Sequence, residues 1–186
     1  MSKGLRQTSG PQIVVRPSLR IGDVVIAGYL KNVTLADADG EAALSVGMQQ
    51  TLAGFDLSAT VAARVNTGAS AARDSRALET AVTVGRAIGP IRARFTALWS
   101  PDDLGPTRNS LLLEAGAALH LHGPLSIDGA IARRTRGGGP DYVAYNAGLT
   151  LSVARNLSAE LRWYDTDRAI DATYRSRLVL AGRLRF

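Results

Sequence analysis

The final thirteen residues, YRSRLVLAGRLRF (174–186), decide the fold. Read in steps of two, they separate into an apolar set and a set that carries the cations. The apolar set is Leu178, Leu180, Gly182, Leu184 and Phe186. The other set is Arg175, Arg177, Val179, Ala181, Arg183 and Arg185. Because successive side chains of a β-strand point to opposite faces, this pattern predicts a strand with one apolar and one cationic face.

The same alternation recurs along the chain. It is clearest in GFDLSATVAARVN (54–66), PIRARFTALWS (90–100), LLLEAGAALHLHG (111–123) and NLSAELRWY (156–164). No segment shows a helical stripe, so the chain is predicted to be all-β. We count eleven strand-like segments of roughly 10–13 residues, whereas strands of globular proteins average about 5–6. A strand that crosses a bilayer needs about 9–11 residues, so we predict an antiparallel up-and-down transmembrane β-barrel.

The connections between these segments alternate in length. Longer polar stretches alternate with five tight turns, which are Gly22-Asp23, Ala53-Gly54, Gly89-Pro90, Gly123-Pro124 and Arg155-Asn156. Short periplasmic turns and long extracellular loops are typical of barrels in the bacterial outer membrane. If the C-terminus is periplasmic, every tight turn falls on the periplasmic side, and we therefore predict an outer-membrane location.

The strand count raises the question of how the chain begins. Single-chain bacterial barrels normally have an even number of strands. We therefore expect about twelve strands in the intact protein, with the first strand mostly missing here and no signal peptide in the opening residues. Residues 1–186 would form a single outer-membrane barrel domain, in which residues 1–10 are the remnant of the first strand and the first extracellular loop.

The bulk composition excludes several classes of function. The net charge is +6 and there is no cysteine, which excludes disulfides and thiol catalysis. The basic stretch RRTRGGGP (133–140) falls in a predicted extracellular loop, where it would meet lipopolysaccharide phosphate or solvent, so no nucleic-acid partner is expected. His120, His122 and Glu114 give only a weak metal signal and are better explained as polar side chains that fill the lumen. We expect no metal and no cofactor.

Several stretches resemble the TorF family of Gram-negative porins. The resemblance is carried by Lys3-Gly4 and Gln7 in the opening, and by VVIAGYLKNV (24–33), LWSPDDLG (98–105), LLLEAGA (111–117), YVAYNAGLTLSVARNLSAELRWYDTD (142–167) and the closing strand. It implies an outer-membrane β-barrel porin, with outer-membrane lipid and lipopolysaccharide as its surroundings. The chain departs from the family in its low aromatic content of 5% and in its first strand. The terminal Phe resembles the signal that the barrel-assembly machinery reads, here Leu178, Leu180, Leu184 and Phe186.

The strand phase also predicts which charges line the lumen. The expected lumen cations are Arg16, Arg20, Lys31, Arg64, Arg92, Arg94, Arg134, Arg162, Arg175, Arg177, Arg183 and Arg185. The expected lumen acids are Glu41, Asp56, Glu79, Glu114, Asp128 and Glu160. Twelve cations and six acids leave an excess of positive charge, which favours anions in a pore.

Three classes of function follow from this lining. We predict passive diffusion of small anionic solutes through a porin-like barrel, with two candidate gating loops, NTGASAARDSRA (66–77) and DLGPTRN (103–109). One alternative is a closed structural or adhesive barrel in which paired charges fill the lumen. A lipid-modifying barrel enzyme is a weaker alternative, because there is no G-x-S-x-G motif; we expect no enzymatic activity.

Overall fold

The computed structural model describes residues 5–8, 10–34, 38–68, 75–168 and 171–186. Its twelve strand segments are β1 (Val14–Val15), β2 (Ser18–Ile21), β3 (Val24–Asn32), β4 (Gly40–Leu52), β5 (Phe55–Thr67), β6 (Arg76–Ile88), β7 (Ile91–Asp103), β8 (Arg108–His120), β9 (Leu125–Arg136), β10 (Tyr142–Ser152), β11 (Leu157–Thr166) and β12 (Arg177–Leu184). A short 3-10 turn, Gly105–Thr107, lies between β7 and β8. Among the described residues, no helix is long and apolar enough to cross a membrane.

The strands form one antiparallel sheet in which each strand from β3 to β12 pairs with the next along the chain. β1 and β2 both pair with β3 in one continuous register, since the β3 partners of Val15 and Ser18 are three residues apart. Pro17, which has no N–H to donate, lies between them, although its carbonyl accepts a bond from the Gly28 N–H at 2.9 Å. β1 and β2 are thus two halves of one strand. The predicted all-β, up-and-down architecture is confirmed.

The tight turns all lie at one end of the sheet, which we call the tight-turn end. Gly22 and Gly89 have positive φ at the first turn position, of 59° and 58°, and the Ala53-Gly54 turn has positive φ at both positions. Such turns match the right-handed twist of a two-stranded hairpin. The longer connections lie at the opposite, long-loop end. Residues 69–74 of the predicted 66–77 gate, and residues 1–4 and 9 of the predicted N-terminal remnant, are outside the described residues.

The N-terminal segment 5–8 contacts residues next to the strands at both edges of the sheet. The Arg6 N–H donates to the Thr173 carbonyl at 3.2 Å, just before β12, and the Thr34 N–H donates to the Gln7 carbonyl at 2.8 Å, just after β3. Leu5 is buried in a small cluster with Tyr142, Ala144 and Tyr174. The sheet therefore curls until its two edges approach each other at the long-loop end. Within the described residues, no strand ladder joins β12 to β1 or β2.

The two faces of the sheet invert the usual arrangement of a soluble protein. Large apolar side chains lie exposed on the outer face, as in Leu44, Leu180 and Phe186. Charged side chains such as Glu41 and Arg64 are buried on the inner face, with 4% and 7% of their surfaces exposed. Full burial of charge inside and exposure of apolar surface outside is the arrangement of a barrel whose outer face meets lipid.

Candidate functional site

The inner face of the long-loop half carries a cluster of six charged side chains, which we call the rim network. Its members are Lys31, Glu41, Arg64, Glu79, Asp103 and Arg134. Arg64 lies at its centre and contacts Glu41 at 2.7 Å, Glu79 at 2.5 Å and Asp103 at 3.3 Å. Lys31 pairs with Glu41 at 3.1 Å, and Arg134 pairs with Asp103. Each of the six comes from a different strand, so the rim network crosslinks the barrel wall from β3 to β9.

The rim network is electrically balanced and nearly inaccessible to solvent. It holds three cations and three carboxylates, and no side chain in it is more than 11% exposed. Hydroxyl groups add to its hydrogen bonds: Tyr29 donates to Glu41, and Ser110 donates to Asp103 at 2.8 Å. Among the described residues, the buried Arg134 Nε has no hydrogen-bond partner. Buried charges are tolerated only when they are paired and hydrogen-bonded in this way. The rim network therefore fills the long-loop half of the lumen without adding net charge.

Asp103 was not predicted as a lumen residue. The sequence predicts that residues 100–109 form a loop, whereas β7 runs on to Asp103 and β8 begins at Arg108. The β7–β8 register shifts between Ser100 and Asp103, so both of these side chains are buried although they are three residues apart. A bulge of this kind breaks the two-residue period on which the prediction depends.

A second charged cluster lies further from the long loops, around Arg162. This arginine donates to Glu160, to Asn146 at 2.5 Å and to Asp128 at 2.6 Å. Its guanidinium lies over Gly148, where a Cβ would come within 2.6 Å of it. Glycine at position 148 thus gives the arginine room to lie along the wall. Arg94 is similarly placed beside Gly116 and pairs with Glu114 at 2.8 Å, although the Arg94 side chain is 56% exposed.

The tight-turn half of the lumen is open and contains a cavity of about 550 Å³, which we call the tight-turn cavity. Its charged lining residues are Arg20, Asp23, Asp56, Arg92, Arg94 and Asp128. Polar neutral side chains, among them Gln49, Ser58, Thr83 and Ser126, lie between the charges. Its size falls in the range of about 300–1,000 Å³ that is usual for small-molecule sites.

The eleven predicted lumen arginines fall into three groups. Arg64, Arg94, Arg134 and Arg162 each pair with a carboxylate within 3 Å. Arg183 approaches Glu160 only to 3.8 Å and is 63% exposed. In the described part of the chain, six have no carboxylate within ion-pair distance: Arg16, Arg20, Arg92, Arg175, Arg177 and Arg185; we call these the unpaired arginines. Arg175 and Arg185 lie just outside the bounds of β12, and Arg16 lies between β1 and β2.

The remaining predicted groups are placed as follows. His120 lies within 3.1 Å of the Ser126 hydroxyl at the tight-turn end, and His122 lies beyond the end of β8. In the ranges that the structure describes, no group of three His, Asp or Glu side chains is arranged to hold a metal ion. The proposed assembly-signal residues Leu178, Leu180, Leu184 and Phe186 are exposed on the outer face.

Searches against known proteins bear on the fold. No protein-family model and no curated protein sequence matches the chain, so the TorF resemblance stays a prediction. Solved structures do match: the KdgM porin superposes with a TM-score of 0.70 at 7% identity, covering 98% of this chain and 96% of that chain. A protein solved in work on the in-meso crystallization of membrane proteins gives a TM-score of 0.60 at 9% identity, covering 98% of this chain and 80% of that chain.

A third match is a loop L8 deletion mutant of OmpT, an outer membrane protein of Vibrio cholerae. Its TM-score is 0.58 at 10% identity, covering 92% of this chain and 62% of that chain. At such low identities these likenesses concern the fold alone. That fold is a porin-like outer-membrane β-barrel.

Proposed function

We propose that this chain is a porin-like barrel of the bacterial outer membrane that allows passive diffusion of small anionic solutes. The observation that carries the proposal is the set of unpaired arginines, of which Arg20 and Arg92 line the tight-turn cavity. Acids neutralise Arg64, Arg94, Arg134 and Arg162, so the unpaired arginines and the weakly paired Arg183 are the cations whose field acts on a passing solute. They outnumber Asp23 and Asp56, two carboxylates without a cationic partner among the described residues. An excess of one sign of charge along a low-dielectric wall raises the local concentration of counter-ions.

Two further proposals concern the family and the partners of the barrel. The motifs in residues 24–33, 98–105 and 142–167 support membership of the TorF porin family. The exposed apolar face of β12, which continues to Phe186, supports recognition by the barrel-assembly machinery and contact with outer-membrane lipid and lipopolysaccharide.

The rim network favours a second candidate function, a closed structural barrel. Its side chains are almost fully buried, and a solute that crossed the long-loop half would have to pass between them. In the porin hypothesis, the rim network is a constriction that opens for small solutes. In the closed-barrel hypothesis, it is a permanent plug.

Planar-bilayer recording of the refolded chain in a salt gradient tests the proposal. We expect steady conductance with a reversal potential on the anion-selective side. Replacing Arg20 and Arg92 with Gln should move the reversal potential toward zero, because it removes two unpaired lumen cations. Arg86→Gln is the matched control, since Arg86 stacks 4.7 Å from the Phe55 ring near the tight-turn end and does not line the cavity. A barrel that inserts and stays electrically silent would favour the closed structural role.

A further inference from the structure

The tight-turn cavity contains charges of both signs that no other described residue neutralises. Asp128 is paired with Arg162, and Arg94 is paired with Glu114. Among the described residues, Arg20 bonds only to the Gly22 carbonyl and to Gln49. For Arg92, the described residues provide no hydrogen-bond or ion-pair partner. Two cations therefore face the cavity without a carboxylate.

Two carboxylates that line the same cavity also lack a cationic partner among the described residues. Asp23 accepts a hydrogen bond from the Gln50 side-chain amide at 2.9 Å, and Asp56 accepts one from the Thr51 hydroxyl at 2.8 Å. Neutral donors of this kind fix the orientation of a carboxylate but leave its charge uncompensated. A ligand that enters the cavity would therefore provide the charges that compensate these side chains.

The register of the strands sets the spacing of the Cα atoms that carry the opposite charges. Gly85 on β6 pairs with Asp56 on β5 and with Arg94 on β7. The Cα atoms of Asp56 and Arg94 are therefore two strand spacings apart. Two spacings amount to about 10 Å, and Arg92 lies two residues further along β7. Gly85 provides no side chain between them, so the space that separates Asp56 from the arginines is open to a ligand.

We propose that the tight-turn cavity is a binding site for a small zwitterionic solute, such as a short peptide, that carries an ammonium and a carboxylate group. The ammonium group pairs with Asp56, and the carboxylate pairs with Arg92. Three extended residues span at most about 10 Å, which is comparable to the spacing of the β5 and β7 backbones that carry Asp56 and Arg92. The amide and hydroxyl side chains of Gln49, Ser58, Thr83 and Ser126 are placed to bond the peptide groups between the two ends. This inference goes beyond the proposed function because binding requires only access from the tight-turn end, not conduction.

Titration calorimetry on the full chain refolded in detergent micelles, at neutral pH and low salt, tests the inference. The probes are triglycine, N-acetyltriglycine, which keeps only the carboxylate, and triglycinamide, which keeps only the ammonium. We expect triglycine to bind at least about tenfold more tightly than either capped form, because each cap removes one ion pair. Equal or tighter binding of N-acetyltriglycine would overturn the inference in favour of a simple anion site.

Substitutions then assign the two ends of the ligand. Asp56→Asn should abolish the preference for triglycine over N-acetyltriglycine, and Arg92→Gln should abolish the preference over triglycinamide. Arg86→Gln, outside the cavity, should leave all three affinities unchanged. No binding of any probe to a barrel that migrates as folded on a gel would overturn the inference. That outcome would not bear on the proposed conduction, which the reversal potential tests separately.

Discussion

Arg64 is the residue on which the rim network depends, because its guanidinium contacts three carboxylates on three other strands. Arg64→Met keeps the length of the side chain but leaves Glu41, Glu79 and Asp103 without their shared cation. Removing one partner of a buried ion pair typically costs about 3–5 kcal/mol. We expect a loss of that order in the free energy of unfolding, measured by urea titration of the barrel with tryptophan fluorescence.

The control for this substitution is Arg94→Gln. Arg94 also pairs with a carboxylate, Glu114, but its side chain is 56% exposed, against 6% for Arg64. Exposed pairs contribute about 0–1 kcal/mol, so this variant should unfold nearly as the parent does. Equal losses for the two variants would mean that the rim network is hydrated and is not a buried brace.

The sequence predicts part of this site at the level of single residues. The two-residue period predicts that Arg64, Glu41 and Glu79 share the inner face, and the structure brings them into contact. The ion pairs themselves could not be predicted, because the register between neighbouring strands determines which of these side chains lie next to each other. Tyr29 has the same strand phase as Lys31, so the period predicts it on the inner face, but its hydrogen bond to Glu41 depends on the register between β3 and β4.

At the scale of the strand, β12 presents apolar and polar residues to opposite sides of the barrel wall. Leu180 is 79% exposed on the outer face, and Ala181 follows it on the inner face. Arginine on the lipid face costs about 2–4 kcal/mol near the bilayer midplane. We therefore expect Leu180→Arg to lower the free energy of unfolding in lipid vesicles by about that amount.

Ala181→Arg is the matched control for this prediction, because it introduces the same side chain one position away on the other face. It should cost less, since it points toward a lumen that already contains Arg183. If both variants lose the same stability, the two faces of β12 meet similar surroundings, and the predicted orientation of the strand is wrong.

Strands and tight turns are predictable here because each depends on local sequence. Alternation identifies a strand without knowledge of its partners, and glycines mark the positions of positive φ, as at Gly22 and Gly89. The bulge that ends β7 is not predictable in this way. The extension of β7 to Asp103 is stabilised by contacts with Ser110 and Arg134, which lie on two other strands.

At the scale of the whole molecule, the lumen has two unlike halves. The long-loop half is filled by a balanced set of buried charges, and the tight-turn half is an open cavity of about 550 Å³ with uncompensated charges of both signs. The sequence predicts the barrel and an excess of cations in its lumen but not this division. The division depends on how far each arginine reaches and on which glycines, such as Gly148, leave room for it.

The central structural claim is that alternate residues of β12 face lipid and a hydrated lumen. The chain has no cysteine, so single-cysteine variants at positions 178 to 183 can be compared without background. Each variant would be reconstituted in lipid vesicles and treated with a water-soluble maleimide. The barrel predicts fast labelling at 179, 181 and 183, and slow labelling at 178, 180 and 182. Uniform labelling at all six positions, or the opposite alternation, would contradict it.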